Sequence, residues 1–219
     1  MIRLAGDCLK RQKGIQPQLL SSRFKPNPKA EAVVSEETLA EILRSGNNIE
    51  GITQERHISN VIVFNVEGVE DIIQNRELLE LRGKLDKAVF RRLSDLFVTK
   101  KELRVFNTGH FWYPNGGYMG WHTNRGLPGW RLYMNHAEEP GKSFIRYRDP
   151  ETGEIVTSWD RPWQFRLFRI DPKRPFWHAI YSETDRYSFG YNIVPAEKLP
   201  FPIRVARKAR QLFERVGAV

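Results

Sequence analysis

The sequence predicts a mainly β fold with helices flanking it, a sandwich or barrel, and three observations carry this. From Leu103 onward short apolar and aromatic runs recur between turn-forming clusters: LRVFNTGHFWY, WRLYMN, SFIRYR, IVTSW, WQFRLFRI, FWHAIY and RYSFGYNIV. That is at least six strands in about 90 residues. Upstream the apolar period turns helical, with Leu85, Ala88, Val89, Leu93 and Leu96 on one stripe. Downstream of Pro195, residues 203–216 read as a basic amphipathic helix carrying Ile203, Ala206, Leu212, Phe213 and Val216.

Taken in order, residues 1–34 are basic and interrupted by Pro17, Pro26 and Pro28, and are expected to be an irregular arm. Ser35-Glu36-Glu37 has the chemistry of a helix start, an N-cap hydroxyl followed by acids at the positive end of the dipole. That helix would carry Leu39, Ile42 and Leu43 on one face and stop at Gly46. The β-branched run over 58–66 is expected as a strand, and two amphipathic helices are expected over 69–81 and 84–97. SFIRYR and IVTSW, joined by DPETGE, form the clearest hairpin. One domain over 35–219 is expected, with its β core over about 103–194.

The chain has 219 residues, 40% of them apolar, which is globular composition. No apolar run approaches the roughly 18 residues of a membrane span. Cys8 is the single cysteine, so no internal disulfide forms. With no apolar core of a secretion signal at the N-terminus, a cytoplasmic protein is expected. The net charge of +9 is compatible with nucleic acid, with small anionic substrates, or with a plain basic surface, and does not by itself select nucleic acid. There is no Walker loop, no dinucleotide fingerprint and no paired-cysteine zinc site.

Chemistry concentrates between Tyr113 and His136. A glycine-rich approach, Gly116, Gly117 and Gly120, leads into His122-Thr123-Asn124. On an extended segment residues i and i+2 share a face, so His122 and Asn124 can reach one ion together. A second histidine, His178, lies in the strand-like FWHAIY, and Arg186-Tyr187-Ser188 follows it. A close pair, a distant histidine and an arginine able to grip a carboxylate make a candidate metal centre with a carboxylate pocket. Each residue also fits a structural role: His122 and His178 as satisfied core histidines, Arg186 in a surface ion pair, and the glycines in a tight turn. His110 and Trp112 are expected to face the mouth of the barrel as substrate contacts, or else to pack within their strand.

His-x-Asn, a distal His, then Arg-x-Ser, with Leu132-Tyr133-Met134-Asn135 after the first motif, resembles the 2-oxoglutarate/Fe(II)-dependent dioxygenase superfamily in its prolyl-hydroxylase-like branch. The resemblance spans about 103–194 and implies a double-stranded β-helix (jelly-roll, cupin-like) with N-terminal helices packed on the barrel. It implies Fe(II) and 2-oxoglutarate as cofactors, O2 as cosubstrate, and hydroxylation as the activity. His122, Asn124 and His178 would be the metal ligands, and Arg186 and Ser188, with Tyr133, would hold the far carboxylate of 2-oxoglutarate. The departure is Asn124, where the family carries a carboxylate. Either the amide ligates, or the position passes to water or an anion with chemistry shifted toward halogenation, or the metal is lost and the domain only binds. A cupin-like metalloenzyme indifferent to 2-oxoglutarate is a further alternative. The primary substrate is not specified by these residues.

Overall fold

The computed structural model describes residues 1–14, 28–45, 58–59, 62–63, 76–96, 103–124 and 126–195. Eight strands make the core: β3 (Leu103–Tyr113), β4 (Gly117–His122), β5 (Gly129–Ala137), β6 (Ser143–Arg148), β7 (Ile155–Trp159), β8 (Gln164–Ile170), β9 (His178–Ser182) and β10 (Arg186–Pro195). Two short strands, β1 (Ile58–Ser59) and β2 (Ile62–Val63), precede them. The helices are α1 (Ile2–Lys13), α2 (Ala30–Val33), α3 (Glu36–Ser45) and α4 (Arg76–Leu96).

The strands form two five-stranded sheets, ordered β2-β3-β10-β5-β8 and β1-β4-β9-β6-β7. Every pairing is antiparallel. Successive core strands cross from one sheet to the other, except at the β6–β7 hairpin, where Phe144 opposes Trp159 and Arg148 opposes Ile155. The fold is a double-stranded β-helix.

Helices cover both outer faces. On the first sheet α1 and α4 set Ala5, Cys8, Leu9, Leu78, Leu85 and Val89 against Trp112, Met134, Tyr187 and Phe189. On the second, Ala30, Val34 and Leu39 meet Tyr118, Trp121 and Trp177, and the Trp121 indole N–H donates to Ser35 O at 2.7 Å. The helix start at Ser35 is as expected: its Oγ accepts the Thr38 N–H at 3.2 Å, with Glu36 and Glu37 in the first turn. Among the described residues no helix is long and apolar enough to cross a membrane.

Three expectations are corrected. Residues 2–13 are helical rather than irregular, because the prolines begin only at Pro17 and the buried stripe is Ala5, Cys8, Leu9 and Gln12. Within the 58–66 run Ile58–Ser59 and Ile62–Val63 are short strands in different sheets, β1 beside β4 and β2 beside β3, while residues 60, 61 and 64–66 lie outside the described residues. The two helices expected over 69–97 meet in one, α4, which continues through Gly83. A mid-helix glycine costs about 1 kcal/mol, whereas burying a leucine or valine returns roughly 1.5–3 kcal/mol, and Leu78, Leu85, Val89 and Leu93 are all buried. Residues 69–75, Phe97, Gly46 and the helix expected over 203–216 lie outside the described residues.

Candidate metal centre and carboxylate pocket

His122 ends β4 and His178 begins β9, and the two are direct cross-strand partners, with a register shift between Met119 and His122. Their rings stand 4.1 Å apart between centroids. Each Nδ1 bonds a main-chain carbonyl two residues upstream, His122 to Gly120 O at 2.8 Å and His178 to Phe176 O at 3.0 Å. A carbonyl only accepts, so both rings carry a proton on Nδ1, and in the neutral form of either ring the lone pair is then on Nε2. His178 is fully buried beside Phe168 and Phe176. Burial first, then the nearness of His122 and Arg131, holds its pKa well below the ordinary value, so the ring stays neutral. A neutral imidazole with an unprotonated Nε2 is the form that binds a metal.

Asn124 follows β4, and its Nδ2 donates to His178 Nε2 across 3.3 Å. Its side chain also lies close to the Tyr133 phenol and helps to hold that group's pKa down. The i, i+2 pair therefore shares one face as expected. Among the described residues no three His, Cys, Asp or Glu side chains cluster as a metal site, because the third member here is an amide.

His122 and Asn124 line a cavity of about 90 Å³ between the sheets, together with Tyr133, Arg186 and Ser188. Arg186 is 1% exposed; its Nε donates to Asp160 Oδ2 at 2.7 Å, and its guanidinium lies 5.0 Å from the Tyr113 ring centroid. Asp160, wholly buried, also accepts from Arg166 Nη1 at 2.5 Å and Ser143 Oγ at 2.8 Å. Burial pushes its carboxyl up, but Arg186 and Arg166 outweigh this and hold it below the usual carboxylate range. The arginine is thus fixed through Nε, and among the described residues its Nη groups make no hydrogen bond. Ser188 Oγ accepts from Asn135 Nδ2 at 2.9 Å, leaving its own proton to give. Burial raises the Tyr133 phenol pKa despite Arg131 and Arg186, so it remains a neutral O–H.

His110 and Trp112 do not join this group. Trp112 packs against α1 and α4, with its indole N–H on Asp185 Oδ1 at 2.9 Å, and His110 lies against Phe189 at 4.3 Å. Both occupy the helix-facing side of β3, while Phe111 and Tyr113 line the cavity. The parity changes at a bulge: Gly190 pairs with Gly109 but Tyr191 with Asn107. A Cβ at Gly109 would collide with the Phe111 ring, so glycine is needed where the bulge turns the strand.

Sequence reasoning missed Asp160, Arg166 and Arg131. Asp160 sat in an apparent turn, DRP, with no signal of burial. Arg131 was within reach, since it lies two residues before Tyr133 on one strand and so shares its face; it too lines the cavity.

No protein-family model matches this sequence, and no curated protein does. Solved structures with a similar fold include an oxidoreductase of the 2OG-Fe(II) oxygenase family from Burkholderia pseudomallei. It is 12% identical, covering 74% of this chain and 81% of its own, at a TM-score of 0.46. A Trichoplax adhaerens prolyl hydroxylase, in complex with a peptide fragment of the hypoxia inducible factor oxygen degradation domain, is 12% identical over 88% of this chain and 93% of its own, at 0.45. A Pseudomonas putida prolyl-4-hydroxylase is 15% identical over 80% and 90%, at 0.33. The fold assignment rests on the strand order.

Proposed function

We propose that this chain is a 2-oxoglutarate- and Fe(II)-dependent oxygenase, a hydroxylase of a substrate not specified by its residues. The observation that carries this is the cross-strand pairing of His122 and His178, each with Nδ1 tied to a carbonyl so that Nε2 is the nitrogen that would ligate, beside a cavity that His122 and Asn124 line with Arg186 and Ser188. The donor set fits Fe(II): two imidazoles, from His122 and His178, and the amide oxygen of Asn124 once its side chain rotates to exchange Nδ2 for Oδ1. Bound there with 2-oxoglutarate and O2, the metal supplies oxidative decarboxylation to succinate and CO2 coupled to oxidation of a substrate C–H bond.

The protein's own contributions follow from its side chains. Arg186 offers its Nη edge to the far carboxylate, with Asp160 holding the guanidinium through Nε so that little rotamer freedom is lost on binding. Ser188 and Tyr133 supply neutral hydroxyls to the same ligand. Phe168 and Phe176, stacked 4.7 Å apart, wall His178 from water. Asn124 leaves the centre one charge more positive than a carboxylate would.

A second function, a metal-free binding module, is favoured by one contact: Asn124 Nδ2 already occupies the His178 Nε2 lone pair. An anaerobic titration separates the two. Fe(II) followed by 2-oxoglutarate is expected to give a weak visible charge-transfer band that needs both additions and is lost in His178→Ala. Protein that gives no iron-dependent binding by calorimetry is not this oxygenase.

A further inference from the structure

Arg131 is the cavity-lining charge that the proposed oxygenase leaves without a task. Three arginines among the described residues are buried to 5% exposure or less: Arg82, Arg131 and Arg186. Arg82 pairs with Asp86 at 2.9 Å and Arg186 with Asp160 at 2.7 Å. Arg131, 1% exposed, has no carboxylate among the described residues. Its Nη2 donates to Leu127 O at 2.6 Å, and its Nη1 is buried with no hydrogen-bond partner. A guanidinium taken out of water without a counter-charge costs several kcal/mol, so a protein that keeps one has an anion in view.

The cavity's charges state which anion. Arg186 and Arg166 share the single negative charge of Asp160, which leaves one positive charge at that end. Arg131 adds a second, near enough to His178 to lower its basicity. Asn124 supplies no negative charge, so a dianion would neutralise the cavity before any metal is counted. The two cations also sit apart. Arg131 opposes Asn192 on β10, six positions along from Arg186 and on the same face, so their Cα atoms are separated by roughly 20 Å along the sheet. Both side chains line the one cavity, and that spacing leaves room between them for a short chain with a carboxylate at each end.

We propose that Arg131 is a second carboxylate anchor, and that this cavity grips a small dicarboxylate at both ends, Arg186 at one and Arg131 at the other, without metal. This rests on the cavity being the carboxylate site proposed above, but not on iron. In chelator-treated protein, calorimetry with succinate and 2-oxoglutarate is expected to show binding, with butyrate, which keeps one carboxylate, at least tenfold weaker. Arg131→Gln is expected to lose at least tenfold in succinate affinity and to bind butyrate as the wild type does. Arg131→Met guards against misfolding: removing the unpaired charge should raise the Tm of the ligand-free protein and abolish the Tm gain that succinate gives the wild type. Unchanged succinate affinity in Arg131→Gln overturns the proposal, as does metal-free protein that binds no dicarboxylate. Chloride that displaces succinate at millimolar concentration, and does so only with Arg131 present, would assign Arg131 to an inorganic anion instead. A missing iron band with intact metal-free succinate binding would sink the oxygenase and leave the anchor standing.

Discussion

Replacing Asp160 by Asn tests the electrostatic frame of the pocket at its most buried point. The carboxylate is 0% exposed and receives Arg186 Nε at 2.7 Å, Arg166 Nη1 at 2.5 Å and Ser143 Oγ at 2.8 Å. Asparagine keeps the shape but offers one acceptor oxygen, and its NH2 then faces a guanidinium that also only donates. Two nearly buried cations lose their counter-charge, and breaking a buried pair in this way costs about 3–5 kcal/mol. For a chain of this size each kcal/mol moves Tm by about 2–4 °C, so a fall of roughly 6–20 °C is expected at pH 7. Thermal unfolding followed by circular dichroism measures it. The pH dependence adds a signature. Asp160 titrates lower in the folded protein than in the unfolded chain, so its stabilisation is whole above the unfolded carboxyl value of about 3.9 and is lost as pH falls through the folded one. The gap between wild type and Asp160→Asn should therefore hold steady from pH 8 to pH 5 (to within about 2 °C) and close in more acid solution. A variant that melts within about 2 °C of the wild type at pH 7 would refute the claim that this carboxylate carries two buried arginines.

Four further outcomes are expected. His178→Ala should lose the iron-dependent absorption and succinate formation while retaining metal-free succinate binding. Asn124→Asp should tighten Fe(II) binding by about tenfold, or about 1.4 kcal/mol, in anaerobic calorimetry, and should weaken metal-free dicarboxylate binding by placing a competing charge in the cavity. His110 and His178 are both held well below the ordinary imidazole pKa by burial, so below about pH 6.5 the unfolded chain takes up protons that the folded one refuses. Denaturant unfolding should then show stability declining with acidification there, by up to about 1.4 kcal/mol per pH unit for each histidine, and a flat profile would contradict their burial as neutral rings. Gly190→Ala would put a Cβ 2.9 Å from Thr108 Oγ1 and 3.2 Å from the Tyr133 ring, both on the cavity wall. It should cost about 1–3 kcal/mol of stability and reduce succinate affinity, read by thermal unfolding and calorimetry.

The β core was legible because its strands are bounded by strong turn chemistry: DPETGE opens into the β6–β7 hairpin, and DPKRP separates β8 from β9. That His122 shares a face with Asn124, and Arg186 with Ser188, was legible from period two, whereas His178 on β9 joined them through the order of the motifs and the family resemblance. What escaped reading was whatever tertiary partners decide. The stripe of α1 is Ala5, Cys8, Leu9 and Gln12, mostly small or polar, and it looks hydrophobic only once α4 covers it. The facing of His110 and Trp112 turned on one extra residue at the Gly109 bulge, which no local pattern announces. Asp160 and Arg131 owe their importance to long-range charge pairing, or to its lack, which sequence neighbours do not encode.

The strand order also dictates when this molecule can fold. In each sheet a central strand is supplied last: β9 slots between β4 and β6, and β10 between β3 and β5. Until residues 178–195 have left the ribosome, β3, β4, β5 and β6 each present an open edge with nothing to pair against. Such non-local closure is slow, and open edges recruit other chains. Chains truncated before β10 should therefore aggregate during synthesis rather than persist as partly folded domains, and helices laid early on the outer faces would serve the nascent chain as a shield.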